Sequence, residues 1–236
     1  MFHLLGAADL PFPRLEPFLC CGDLSYVVGH VRCTADGVLV LSKEPHHLEH
    51  SIDLSSGFQM ESLPRVSDLF EVMAFRDPGV GIHLIVCTDG DEWERYQTYI
   101  LLTLCRLFSK YQCQQLNAPP PILACDRLEV LDDLGRFLRF FQQTCRLALY
   151  VHESSDWEYL LTECKVPFLD IIVAGEMVDV TEETLEQYHS MSYDVVWQSW
   201  DSSSSSSMSL DHVDRLVSIE YFNDFQNFKD FNDFKE

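Results

Sequence analysis

Two short apolar runs bracket an Asp-Gly pair near the start of the chain. The first is Tyr26-Val27-Val28-Gly29-His30-Val31-Arg32 and the second is Val38-Leu39-Val40-Leu41, with Ala35-Asp36-Gly37 between them. β-Branched residues favour extended backbone, and Asp followed by Gly supplies the positive φ that a tight turn needs. The spacing predicts a β-hairpin over 26–41, with Val28, Val38 and Val40 buried. No catalytic motif of comparable definition occurs elsewhere in the chain.

Downstream, the pattern alternates between helix and strand. Leu63 to Phe75 carries Leu69, Phe70, Met73 and Ala74 at helical spacing, with Ser67 as the expected N-cap. Gly81 to Cys87 is apolar on both faces, which predicts a strand covered on both sides. A long helix from Asp91 to about Tyr111 follows, its stripe formed by Trp93, Tyr96, Ile100, Leu104, Leu107 and Phe108. After the breaker Asn117-Ala118-Pro119-Pro120-Pro121 come a helix from Asp126, a strand over Leu147–Val151, a helix opened by Ser155, a strand over Phe168–Val173, and a helix from Thr181. Residues 1–17 hold Pro11, Pro13 and Pro17, which exclude a helix. A short strand is expected at Ser51-Ile52-Asp53-Leu54.

These breaks divide the chain into an N-terminal α+β unit (1–116), a C-terminal α/β half packed on it (117–201), and a serine tether with an acidic tail (202–236). The tail carries Phe222, Phe225, Phe228, Phe231 and Phe234, one at every third position. At 3.6 residues per turn such a series drifts by about 60° per step around a helix. The rings therefore do not form one face. An acidic aromatic segment on a flexible Ser202–Ser207 tether reads as a partner-binding element that folds on binding, or as a terminal helix packed on the body.

The net charge is −22. A field of that sign repels nucleic-acid phosphates and anionic membrane surfaces, and Lys and Arg are scattered without a basic patch. The nine cysteines are irregularly spaced and form no Cys-x-x-Cys pair. Several lie in apolar runs, where free cysteine acts as a small hydrophobe. The first residues lack the charged region and apolar core of a signal peptide, so the reading is of a protein that is not secreted.

One cluster matches a catalytic pattern. His46, Glu49 and His50 fit the His-x-x-Glu-His order of a metalloprotease class, in which two histidines hold zinc and the glutamate activates water. That motif requires a long helix. Here it follows a strand and Pro45, and no third ligand stands out. A solvated loop is the preferred reading, ahead of adventitious metal binding, and no cofactor is expected.

Residues 18–75 resemble one repeat of the betaherpesvirus US-twenty-two family, within the SUKH (SMI/KNR-type) superfamily. The resemblance lies in Phe18-Leu19-Cys20, Tyr26–Val31, Asp36–Leu41 and Leu63–Val72. It implies an α+β fold with a mixed sheet, an N-terminal hairpin and several packed helices. It also implies a non-enzymatic viral accessory protein, such as a tegument component, that binds host proteins. Immune evasion, cell-death control or transcription regulation in the host cytoplasm or nucleus would follow. The alternative from the residues is a metal-dependent hydrolase built on His46, Glu49 and His50.

Overall fold

The structure, a computed structural model, describes residues 2–6, 19, 24–43, 64–74, 79–88, 92–114, 118–153, 169–177, 180–198 and 214–218. Within them the strands are β1 (Phe2–Leu5), β2 (Leu24–Cys33), β3 (Leu39–Leu41), β4 (Gly81–Val86), β5 (Ile122–Cys125), β6 (Arg146–Glu153), β7 (Leu169–Met177), β8 (Asp194–Gln198) and β9 (Asp214–Ser218). The helices are α1 (Val66–Ala74), α2 (Glu92–Gln114), α3 (Leu128–Phe140) and α4 (Glu182–Ser190).

The strands run in the order β1-β9-β8-β7-β6-β5-β4-β2-β3, and β1 also pairs with β2. That last pairing closes the sheet on itself. Among the described residues, eight strands form a ring in which every neighbour pair is parallel, and only β3 is antiparallel. Closure removes the open edges that a flat sheet would expose. Helices separate successive strands: α1 precedes β4, α2 joins β4 to β5, α3 joins β5 to β6, and α4 joins β7 to β8. This is a β/α barrel.

The ten residues of β2 serve three partners in turn. Its start pairs with β1, its middle with β4, and Val31–Cys33 with β3. The predicted hairpin is the β2–β3 pair. Its turn is tied by the Thr34 amide donating to the Val38 carbonyl at 2.9 Å and by the Gly37 amide donating to the Thr34 carbonyl at 2.9 Å. Gly37 sits at φ +77°, where a side chain would be strained. Val28 and Val40 are buried as expected, whereas Val38 is only partly covered.

Side-chain alternation sorts the core into two compartments. Val27, Val31, Ile82, Leu84, Val86, Leu123, Leu147, Leu149 and Ile172 point outward and pack with α1, α2, α3 and α4 in one large cluster. Val28, Ile85, Ile122, Ala124, Ala148, Ile171, Val173 and Val196 point inward and form a separate cluster inside the barrel. Strands covered on both faces must be apolar on both, which is why β4 carries no polar/apolar alternation. The stripe of α2 is as the spacing predicts, with Trp93, Ile100, Leu104 and Phe108 buried and Tyr96 and Leu107 packed at its margin. Thr181 caps α4 through a reciprocal pair with Thr184, and Glu182 and Glu183 lie in the first turn.

Two expectations are corrected here. The mixed α+β, SUKH-like arrangement does not form, because β1, β5, β8 and β9 join the readable strands into one closed parallel ring. With the sheet closed, the hairpin is an appendage of β2 and not the nucleus of the fold. Ser67 is not the N-cap of α1, which begins at Val66; its hydroxyl donates instead to Asp68 at 3.2 Å. The sheet also passes directly from β4 to β5, and β9 at 214–218 pairs with β8 and β1. Ser51–Leu54 and Ser155 lie outside the described residues.

Candidate functional site

Beyond the apolar middle of the barrel interior, polar side chains on several strands occupy both ends. At the amino ends of the strands are His3, Tyr26, His83, Arg146, Asp194 and Asp214. At the carboxyl ends are His30 and Arg32 on β2, Asp126 just after β5, and Tyr150 and His152 on β6. In β/α barrels the carboxyl-end face is the one that presents reacting groups, because the strand-to-helix loops gather there.

The amino-end group is closely linked. His3 Nδ1 lies 3.1 Å from His83 Nδ1, and His3 Nε2 lies 3.1 Å from Asp214 Oδ2. The Tyr26 ring stands 4.7 Å from the His3 ring. Arg146 and Asp194 form an ion pair at the rim. Burial holds the His83 imidazole well below its ordinary value, with the neighbouring His3 and His30 acting in the same direction. Burial also lowers His3, against the opposing pull of its hydrogen bond to Asp214.

The carboxyl-end group is more open. His152 Nε2 is 3.5 Å from Asp126 Oδ2, and both side chains reach solvent. The hydrogen bond from His152 holds the Asp126 carboxyl below its usual range, although burial pulls the other way. The Tyr150 and His152 rings lie 4.7 Å apart. Toward β2, Arg32 is almost fully buried, and its Nη2 donates to the Lys43 carbonyl at 3.1 Å. His30 carries the same inward parity. Burial first, then the charges of Lys43 and Arg32, push its imidazole down to about 4, so it is neutral at physiological pH. The Nδ1 atom of His30 is buried and has no hydrogen-bond partner among the described residues.

The mouth therefore holds an Asp–His pair from β5 and β6 and, from β2, a neutral histidine beside a buried guanidinium. A carboxylate behind an imidazole orients the ring and stabilises the imidazolium formed when it takes a proton. A guanidinium matches the oxygens of a phosphate or carboxylate. Among the described residues no set of three or more His, Cys, Asp or Glu side chains converges to hold a metal ion. No helix among them is long and apolar enough to cross a membrane.

His46, Glu49 and His50, and Phe222, Phe225, Phe228, Phe231 and Phe234, lie outside the described residues. The residues that do enter this site were missed. One signal was available: Tyr26, His30 and Arg32 occupy alternate positions of a run whose intervening residues are all apolar. Polar side chains at one parity of a covered strand mark an inward face that is not purely a packed core.

No protein-family model matches the chain, and no curated protein matches it in sequence. Solved structures do match its fold. A protein assigned as a glycerophosphodiester phosphodiesterase from Galdieria sulphuraria aligns with a TM-score of 0.69 at 15% identity, over 96% of each chain. One from Silicibacter pomeroyi DSS-3 aligns at 0.66 and 13% identity, over 92% of this chain and 88% of that one. A glycerophosphodiester phosphodiesterase from Agrobacterium tumefaciens strain C58 aligns at 0.60 and 14% identity, over 92% of this chain and 94% of that one.

These matches overturn the family resemblance and what followed from it. The neighbours are barrel proteins with phosphodiesterase assignments, not members of the US-twenty-two or SUKH group. The expectation of a non-enzymatic viral accessory protein, with its tegument, immune-evasion and transcription roles, falls with the fold that implied it. The described parts of the segments that carried the resemblance include barrel strand β2, the appended strand β3 and helix α1. A covered strand followed by a glycine turn occurs in many folds.

Proposed function

We propose that the chain is a hydrolase of small phosphodiesters, acting at the carboxyl-end mouth of its barrel. The observation that carries this reading is the Asp126–His152 pair, brought together by the adjacent strands β5 and β6 at the carboxyl-end face. The phosphodiesterase assignments of the barrel's structural neighbours support the substrate class by analogy of fold. The net charge of −22 favours small substrates over polyanions such as nucleic acid.

In this mechanism Arg32 stabilises the non-bridging oxygens of the substrate phosphate. His152 takes a proton from the attacking water as the new P–O bond forms, and Asp126 stabilises the resulting imidazolium. The bond to the leaving oxygen breaks, and the proton passes from His152 to that oxygen. His30, neutral and beside Arg32, offers a ring nitrogen to a substrate hydroxyl.

The test is release of p-nitrophenol from bis(p-nitrophenyl) phosphate by the full chain and its His152→Asn variant. Turnover by the wild type that falls by about 10²–10⁴-fold in the variant, with an unchanged melting temperature, supports the reading. No turnover above buffer, or equal turnover by both proteins, overturns it.

A further inference from the structure

The barrel is closed by a short seam. β1 has four residues and β9 has five, and each pairs with the other as well as with its outer neighbour. Inside the barrel the side chains of exactly these two strands meet. His3 of β1 contacts Asp214 of β9, and on its other nitrogen it contacts His83 of β4 across the interior. We propose that Asp214, His3 and His83 form an acid-sensitive clasp that locks the β1–β9 seam at neutral pH and releases it on protonation.

Proton accounting gives the switch its sense. Two Nδ1 atoms 3.1 Å apart need one proton between them. With both rings neutral, His3 donates from Nε2 to Asp214, and His83 donates from Nδ1 to His3. A first added proton is accommodated: His3 becomes the cation beside the Asp214 carboxylate and donates from both nitrogens. A second puts two N–H groups face to face, and no acceptor remains between them. Two cations would then also share a fully buried space.

Other charged groups bear on the same site. Asp214 on β9 favours the His3 cation, whereas Arg146 on β6 and the first amino group of the chain oppose it. His30 on β2 opposes a cation at His83. Asp194 on β8 is occupied at the rim by Arg146, and Tyr26 on β2 stays protonated because burial raises it.

The sign follows from burial. Both histidines are held below their ordinary value, so the unfolded chain binds more protons as pH falls through about 6.5. The clasp's stabilisation is complete above that pH and is lost below it. Asp214, held below the usual range, adds a loss of the same sign at still lower pH.

Hydrogen exchange on the full chain, corrected for the intrinsic pH dependence of exchange, tests this between pH 7.5 and 5. Peptides covering 2–6 and 214–218 should lose protection by about tenfold, ahead of those covering β6 and β7. His83→Asn keeps a donor near the Nδ1 position but takes up no proton, so its seam protection should not change over this range. Uniform loss of protection along the barrel, or no loss at the seam, overturns the proposal from the wild type alone. A folded His83→Asn protein whose seam loses protection between pH 7.5 and 5 as the wild type does also overturns it.

Discussion

The two ends of the barrel interior hold similar residue types in opposite circumstances. At the amino ends, His3 and His83 are buried and meet each other and Asp214. At the carboxyl ends, His152 is mostly exposed, and its Asp126 partner is half-exposed at 3.5 Å. A buried polar group must be satisfied by its neighbours, so removing one partner leaves the others with an unpaired group. An exposed pair contributes little to folding but can meet a substrate. The same His–Asp chemistry therefore reads as structure at one end and as reactivity at the other.

The largest expected effect separates the ends directly. Asp126→Asn should lower phosphodiester turnover by about 10²-fold or more, because His152 loses the carboxylate that stabilises its cation. Its melting temperature should stay close to that of the wild type. His3→Ala should do the reverse. It leaves the His83 Nδ1 without its partner and removes one from Asp214, and should cost about 2–4 kcal/mol in urea unfolding. The folded remainder should keep kcat within about twofold. Parallel kinetics and denaturation on the two variants check both. If His3→Ala abolished turnover in folded protein, the two ends would not be functionally separate.

A smaller effect probes why the amino end is so closely filled. A Cβ on Gly81 would lie 2.4 Å from the Tyr26 ring and 3.3 Å from Pro119. Gly81 is opposite Tyr26 in the β2–β4 register, so the ring lies across the position where its side chain would stand. Gly81→Ala should therefore push Tyr26 off His3 and cost about 1–3 kcal/mol. A melting temperature equal to that of the wild type would show that the Tyr26 ring moves away freely and that this end is loosely packed.

How much of this was readable beforehand differs element by element. The covered strand at Gly81–Val86, the long helix carrying Trp93 and Phe108, and the hairpin turn at Asp36-Gly37 follow from periodicity and turn chemistry. Their signals are local and span many residues. The strands that close the barrel do not. β1, β5, β8 and β9 have four or five residues each, too few for periodicity to distinguish a strand from a loop. Ile122–Cys125 was hidden behind three prolines, and Asp214–Ser218 behind a serine run. Parallel pairing is also long-range: Phe2 meets Arg215 across nearly the whole chain. The site was missed for the same reason. Asp126 and His152 become neighbours only once β5 and β6 pair, and nothing in their separate sequence contexts joins them.

The smallest effect tests whether depth, and not merely position at the amino end, decides what a polar pair is worth. Arg146 and Asp194 belong to the same end as the His3 cluster, but they lie at its rim, with Asp194 68% exposed. Water there already solvates both charges, so the pair gains little from contact and is screened by salt. Asp194→Asn should cost no more than about 1 kcal/mol in urea unfolding, and the difference should shrink further in 0.5 M salt. His3→Ala, a few ångströms deeper, should retain its full cost in the same salt, because the lost hydrogen bonds are buried. If Asp194→Asn proved as destabilising as His3→Ala, the rim pair would be part of the buried network, held to it through Tyr26. That ring stands 4.7 Å from the His3 ring and feels the Arg146 charge.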